Sequence, residues 1–151
     1  MNRRHAITGG VAAAWTALAG GTAEGAADEA TTLKLLDDFA AAWNRHDLDG
    51  LMACMATECV FEAAAGPDVA GTRHVGRDAV RRAYQAVFDT YPDGRWNQPR
   101  HFVAGDRAVT EWTFTGTTHA GARVEVNGCD IFTLKDGRIA VKNSYRKQRS
   151  Q

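Results

Sequence analysis

An excess of charge of either sign is missing from this chain. Its 151 residues carry 18 Lys and Arg against 18 Asp and Glu, a formal net charge of zero at pH 7. A nucleic-acid-binding domain shows a basic excess or a clustered basic face. Here the basic cluster is only a short C-terminal run, Arg146, Lys147 and Arg149. Long apolar runs are missing too. A membrane-spanning helix needs roughly 20 uninterrupted apolar residues, and the best stretch, residues 11–23, is broken by Thr16, Gly20, Gly21 and Thr22. Cysteine is scarce. With Cys54, Cys59 and Cys129 alone, at least one thiol has no partner within the chain. An oxidising compartment would permit a Cys54–Cys59 bridge, but small buried thiols are the expectation. No C-x-x-C, zinc-spaced Cys/His set, H-x-x-x-H, P-loop or Ser-His-Asp set occurs. No motif calls for a cofactor or a metal. These absences leave a globular domain that acts on small molecules or protein partners.

The first 27 residues read as an address. Arg3 and Arg4 precede an alanine-rich, weakly apolar stretch, then small residues, then acidic Asp28 and Glu29. That is the order of a signal peptide, and the Arg-Arg pair resembles a twin-arginine signal. Cleavage is expected after Ala27, where Gly25 and Ala27 suit a small-x-small site. The expectation is therefore a signal segment over residues 1–27, an exported domain over residues 28–151, and no membrane span in the mature chain.

Within that domain, Leu33, Leu36, Phe39, Ala40 and Trp43 recur at three- and four-residue steps, one apolar face of a helix capped by Thr31 or Thr32. Asp47 is placed to cap a second, shorter helix with Leu48, Leu51, Met52 and Met55 inward. Cys59, Val60 and Phe61 suggest a short strand, and residues 64–73 a loop. Gly76 opens a third helix with Ala79, Val80, Ala83, Tyr84, Val87 and Phe88 on its buried side. Everything after the Tyr91-Pro92-Asp93-Gly94 turn alternates as strands, the last two joined by Lys135-Asp136-Gly137, a hairpin signal. Helices first and hairpin strands afterwards predict an α+β fold, with a curved antiparallel sheet and helices on one face.

The helix–NRHDLDGL–helix opening, ECVFE, GRDAV and the closing GCDIFTLKDGRIAVKNSYRK together resemble the SnoaL-like, nuclear-transport-factor-2-like superfamily, over about residues 33–147. The resemblance implies a cone: a bent sheet wraps three N-terminal helices and encloses a pocket. It also implies isomerases, dehydratases, polyketide cyclases or non-catalytic binding modules, since one fold hosts many functions.

Asp130 is the sharpest candidate for chemistry. It stands where ketosteroid isomerases carry an oxyanion-stabilising acid and polyketide cyclases an acid/base carboxylate. Two readings are open for it: a proton donor or shuttle whose pKa burial would raise, or half of a strand-to-strand ion pair with Lys142 or Arg146. Strand alternation and the family pattern put Gly128, Phe132 and Leu134 on the face of Asp130, and Lys142, Ser144 and Arg146 inward beside it. Thr110, Trp112 and Phe114 share the face of the neighbouring strand. Phe39, Trp43 and Trp112 would hold the apolar body of a ligand. His101 is the one histidine expected in a strand; turned inward, it would be a near-neutral base. Ala63 replaces the isomerase base, and Asn44 replaces the helix-one aspartate of dehydratases; its expected role is to cap the helix break. The expected function is an exported small-molecule pocket protein, a cofactor-free lyase, isomerase or cyclase acting through Asp130, with Lys142 tuning it, on a small hydrophobic carbonyl or polyketide-like compound. The alternative is a non-catalytic ligand-binding or dimerisation module. Outward-facing Glu111, Thr113 and Thr115 suit a homodimer.

Overall fold

Leu36, Phe39, Ala40 and Trp43 are all buried, so the first helix, α1 (Ala23–Asn44), has a single inner face. A computed structural model describes residues 23–149; residues 1–22 of the expected signal segment lie outside the described residues. The helix already runs from Ala23, so neither Thr31 nor Thr32 caps it; the Ala/Glu-rich stretch before them has high helix propensity. His46, with φ 56°, reverses the chain after α1. Asp47 then caps α2 (Leu48–Cys54), its Oδ1 accepting from the Gly50 amide at 2.8 Å. A helix this short is not stable alone. Arg77 reaches back to the carbonyls of Met52 (2.9 Å) and Met55 (3.0 Å), and Arg138 donates to that of Ala53, so guanidinium groups cover its C-terminal end.

Met55 does not close α2. It opens strand β1 (Met55–Glu62), buried against α3. A short strand, β2 (Arg73–Val75), begins at the last residue of the expected loop and pairs with the end of β1. Helix α3 (Arg77–Thr90) buries Val80, Ala83, Tyr84 and Phe88 as its spacing requires. Four long strands follow: β3 (Arg95–Ala104), β4 (Arg107–Thr117), β5 (Arg123–Lys135) and β6 (Arg138–Arg146). Asp136 (φ 52°) and Gly137 (φ 68°) make the β5–β6 turn with both central residues left-handed, the conformation that matches strand twist.

The sheet order is β2-β1-β6-β5-β4-β3. All pairs are antiparallel except β1–β6, which is parallel, so the sheet is mostly antiparallel. The parallel pair arises because β2, α3 and the strands β3 to β5 lie between β1 and β6 in sequence, so no hairpin constrains their sense. Helix α1 packs along β3 and α3 along β1, toward the two ends of the same sheet. The α+β fold with three helices on a sheet is therefore as expected, the sheet gains β2 as a sixth strand, and its inner face holds the core. Among the described residues no helix is long and apolar enough to cross a membrane.

Candidate functional site

The register of the four long strands places one residue from each in a row across the inner face. His101 pairs with Thr110, Thr110 with Asp130, and Asp130 with Ser144. Alternation then sets Trp112 beside Asp130 on β4 and Lys142 beside Ser144 on β6. Thr110, Asp130 and Lys142 are the buried polar and charged side chains of the described core, at 1%, 0% and 2% exposure.

Asp130 is surrounded by donors. Lys142 Nζ donates to its Oδ1 at 2.8 Å, Ser144 Oγ donates to the same oxygen, and Trp112 Nε1 donates to Oδ2 at 2.8 Å. Lys142 also reaches Ser144 Oγ at 2.7 Å. Three donors on two oxygens is the pattern of a carboxylate held against an ammonium. Burial lowers the Lys142 pKa from its ordinary value, with Asp130 opposing that shift. Burial, and then Asp130, push the Tyr84 phenol well above its ordinary value.

Around this pair the aromatic residues touch each other. Trp43, Trp96 and Trp112 form a stack, with centroids 4.8 Å and 5.7 Å apart. Phe39 sits at 5.9 Å from both Trp96 and Phe132 and 6.1 Å from Tyr84. Phe39, Trp43 and Trp112 are all buried, and Trp112 also lines a groove of about 770 Å³. Trp43 Nε1 has no acceptor among the described residues.

Arg146 does not join the cluster. It shares the inward face but lies at the exposed rim opposite Gly128, past the covering helices. Asn44 does not cap the helix break: its amide accepts from the Trp96 N–H at 2.8 Å and donates to the Trp96 carbonyl at 3.0 Å, tying α1 to β3. His46 is half-buried, stacked on Phe88 at 4.2 Å. His74 lies in β2 and stacks on Phe61. Cys54 and Cys59 are free buried thiols, while Cys129 is free and half-buried on the outer face. Trp96, Tyr84 and Phe61 complete the site and were not among the expected site residues. Their signal was the inward phase of their own strand or helix, shared with many core residues. Among the described residues no three His, Cys, Asp or Glu side chains converge as a metal site.

His101 turns inward, but its ring is nearly covered. Nδ1 is 2.8 Å from Thr110 Oγ1, and Nε2 is 3.2 Å from Asp37 Oδ1, within ion-pair range but without hydrogen-bond alignment. Burial lowers its pKa, against the raising effect of Asp37. The unfolded ring protonates near its ordinary value of about 6.5. Below that pH the unfolded chain binds the proton more readily, so this contribution to stability is full above about pH 6.5 and lost as the pH falls toward the depressed folded value. His101→Asn should flatten the acid limb of a plot of melting temperature against pH below about 6.5. An acid limb identical to the wild type would contradict this assignment.

None of the described grooves is lined by Asp130 or Lys142. One of about 770 Å³ is lined by Arg100, Glu111, Thr113, Asn127, Cys129 and Tyr145 on the outer face of the sheet, and also by Trp112, Gly128 and Arg146. Another, of about 390 Å³, is at the rim beside Tyr91, Arg123 and Arg146.

Residues 36–142 match the model of the SnoaL-like domain. The chain belongs to the SnoaL-like domain family. A nuclear-transport-factor-2-like protein of unknown function from Mesorhizobium loti is 32% identical, with 79% of this chain and 93% of that chain covered and a TM-score of 0.65. A Xanthomonas campestris protein provisionally assigned as a polyketide cyclase is 22% identical, with 78% and 91% covered and a TM-score of 0.70. A provisionally assigned isomerase from Bacillus subtilis is 17% identical, with 80% and 88% covered and a TM-score of 0.68. No curated protein matches the chain. This SnoaL-like domain shares the fold of its relatives, and the aromatic rings at its centre pack on one another.

Proposed function

We propose that this SnoaL-like domain is a non-catalytic assembly module that forms a homodimer through its outer sheet face. The observation that carries this reading is the closure of Asp130. At 0% exposure, with both oxygens taken by Lys142, Ser144 and Trp112, the carboxylate presents nothing to a substrate. A general acid or base has to come within hydrogen-bond reach of the proton it moves.

The outer face suits a second copy. An isologous interface is self-complementary, so one patch has to carry both partners of each contact. Here Arg100 and Glu111 pair at 2.7 Å on that face, close to Thr113 and Asn127, whose side chains bond at 2.8 Å. Phe102 and Tyr145 are large aromatics left 54% and 50% exposed. Light scattering at tens of micromolar should give the mass of a dimer, and native mass spectrometry should find it free of co-purified ligand. A monomer, or a small molecule retained in the cone, would overturn the reading.

A catalytic reading is supported by the names of the Xanthomonas and Bacillus relatives. In it Asp130 shuttles a proton on a small hydrophobic carbonyl or polyketide-like compound, and Lys142 and Trp112 have to leave the carboxylate first. Asp130→Asn would then abolish turnover or ligand affinity with little change in melting.

We also propose export. Lysines in place of Arg3 and Arg4 should leave the precursor in the cytoplasm, and undisturbed export would argue against a twin-arginine route.

A further inference from the structure

The centre of the cone has the composition of a receptor for an organic ammonium ion. Lys142 Nζ lies 4.6 Å from the ring centroid of Phe61, 5.5 Å from those of Trp43 and Trp96, and 6.0 Å from that of Tyr84. Its polar side is closed by Asp130 Oδ1 at 2.8 Å and Ser144 Oγ at 2.7 Å. An ion pair alone does not need four aromatic faces. Ring faces attract a cation through their quadrupole while offering no lone pairs, so they favour an alkylammonium over a hydrated metal ion, and the attraction grows where water is excluded.

The box also stands without the lysine. Its rings come from four elements, α1, β1, α3 and β3, and support each other. Trp43 stacks on Trp96 at 4.8 Å, Trp43 meets Tyr84 edge-on at 5.8 Å, and Phe61 meets Tyr84 at 5.2 Å. Asp130 is held independently from its other oxygen by Trp112 Nε1 at 2.8 Å. A site whose walls are fixed by their own contacts is pre-organised and keeps its shape when its occupant is removed.

We infer that the cone centre is a binding site for a primary alkylammonium, and that the Lys142 side chain is its tethered occupant. This goes beyond the closed-cone reading and rests on it only in that Lys142 fills the site. Tethering gives the lysine a high effective concentration, so a free amine does not compete with it in the wild-type protein. Truncation at Cβ removes the equivalent of n-propylammonium, which defines the ligand the emptied site accepts.

The test is the Lys142→Ala variant, melted in n-propylammonium chloride, in sodium chloride at equal ionic strength, and in 1-propanol, the neutral molecule of the same size. The expected result is a saturable rise in melting temperature with the ammonium alone, and no such rise in the wild type. In Lys142→Ala/Asp130→Asn, which leaves no unpaired buried charge, the apparent affinity for n-propylammonium should fall at least about tenfold. If Lys142→Ala does not fold unaided, its recovery from urea should depend on the ammonium salt. No effect of the ammonium on melting or refolding, an equal effect of 1-propanol, or an equal response of the wild type would overturn the inference. A ligand co-purified in the wild-type cone would instead overturn the closed-cone reading, so the two failures are distinct.

Discussion

Lys142→Met is expected to lower the free energy of unfolding by about 3–5 kcal/mol, the usual cost of leaving one partner of a buried ion pair uncompensated. Methionine nearly matches the volume of the lysine stem, so little of this loss comes from a cavity. The loss comes from Asp130, which keeps Ser144 and Trp112 but loses its counter-charge in a site with 0% exposure. Lys142→Met/Asp130→Asn should recover most of it. The carboxamide oxygen still accepts from Trp112, its NH₂ group faces the Ser144 hydroxyl, and no charge remains to be desolvated. Urea unfolding of the wild type, both single variants and the double variant gives the coupling energy directly. If Lys142→Met costs less than about 1 kcal/mol, within the ordinary range for point substitutions, the pair is hydrated and the cone is open. The catalytic reading would then gain ground.

Gly128→Ala should destabilise the fold by about 3 kcal/mol, from overpacking together with a lost hydrogen bond to a charged acceptor. A Cβ at Gly128 would stand 2.3 Å from Trp112 Cη2 and 2.4 Å from the carbonyl oxygen of Tyr145. The β-sheet backbone has little room to yield, so the indole has to move. Its Nε1 bond to Asp130 Oδ2, 2.8 Å long, moves with it. Trp112→Phe removes the outer indole ring and the bond together. Gly128→Ala should therefore cost less in the Trp112→Phe background than alone, by the share of the clash that the indole carries, while the clash with the Tyr145 carbonyl remains. Strict additivity of the two substitutions would mean that the glycine acts through something other than the indole. Lacking a side chain, Gly128 lets a large donor lie flat over the strand and reach the carboxylate.

The inner and outer faces of the long strands were legible in the sequence, because side-chain direction alternates locally with a period of two. Asp130 and Phe132, Thr110 with Trp112 and Phe114, and Lys142 with Ser144 all fall on the inner face as alternation requires. The same holds for the helix faces, the Asp47 cap and the Asp136-Gly137 turn, each set by residues within a few positions of one another. Depth along a strand is a different matter. Lys142 and Arg146 share a face and a charge, yet one is 2% exposed and the other stands at the rim. What separates them is whether a helix lies over that point of the sheet, and this depends on contacts between residues far apart in the chain. The parallel pairing of β1 with β6, the short β2 and the grip of Asn44 on the Trp96 backbone were hidden for the same reason. The chain by itself determined the element types, the faces and the family. Only the tertiary structure decided that four rings from four elements close on one ammonium, because aromatic residues in the inward phase read alike whether they line a pocket or fill it.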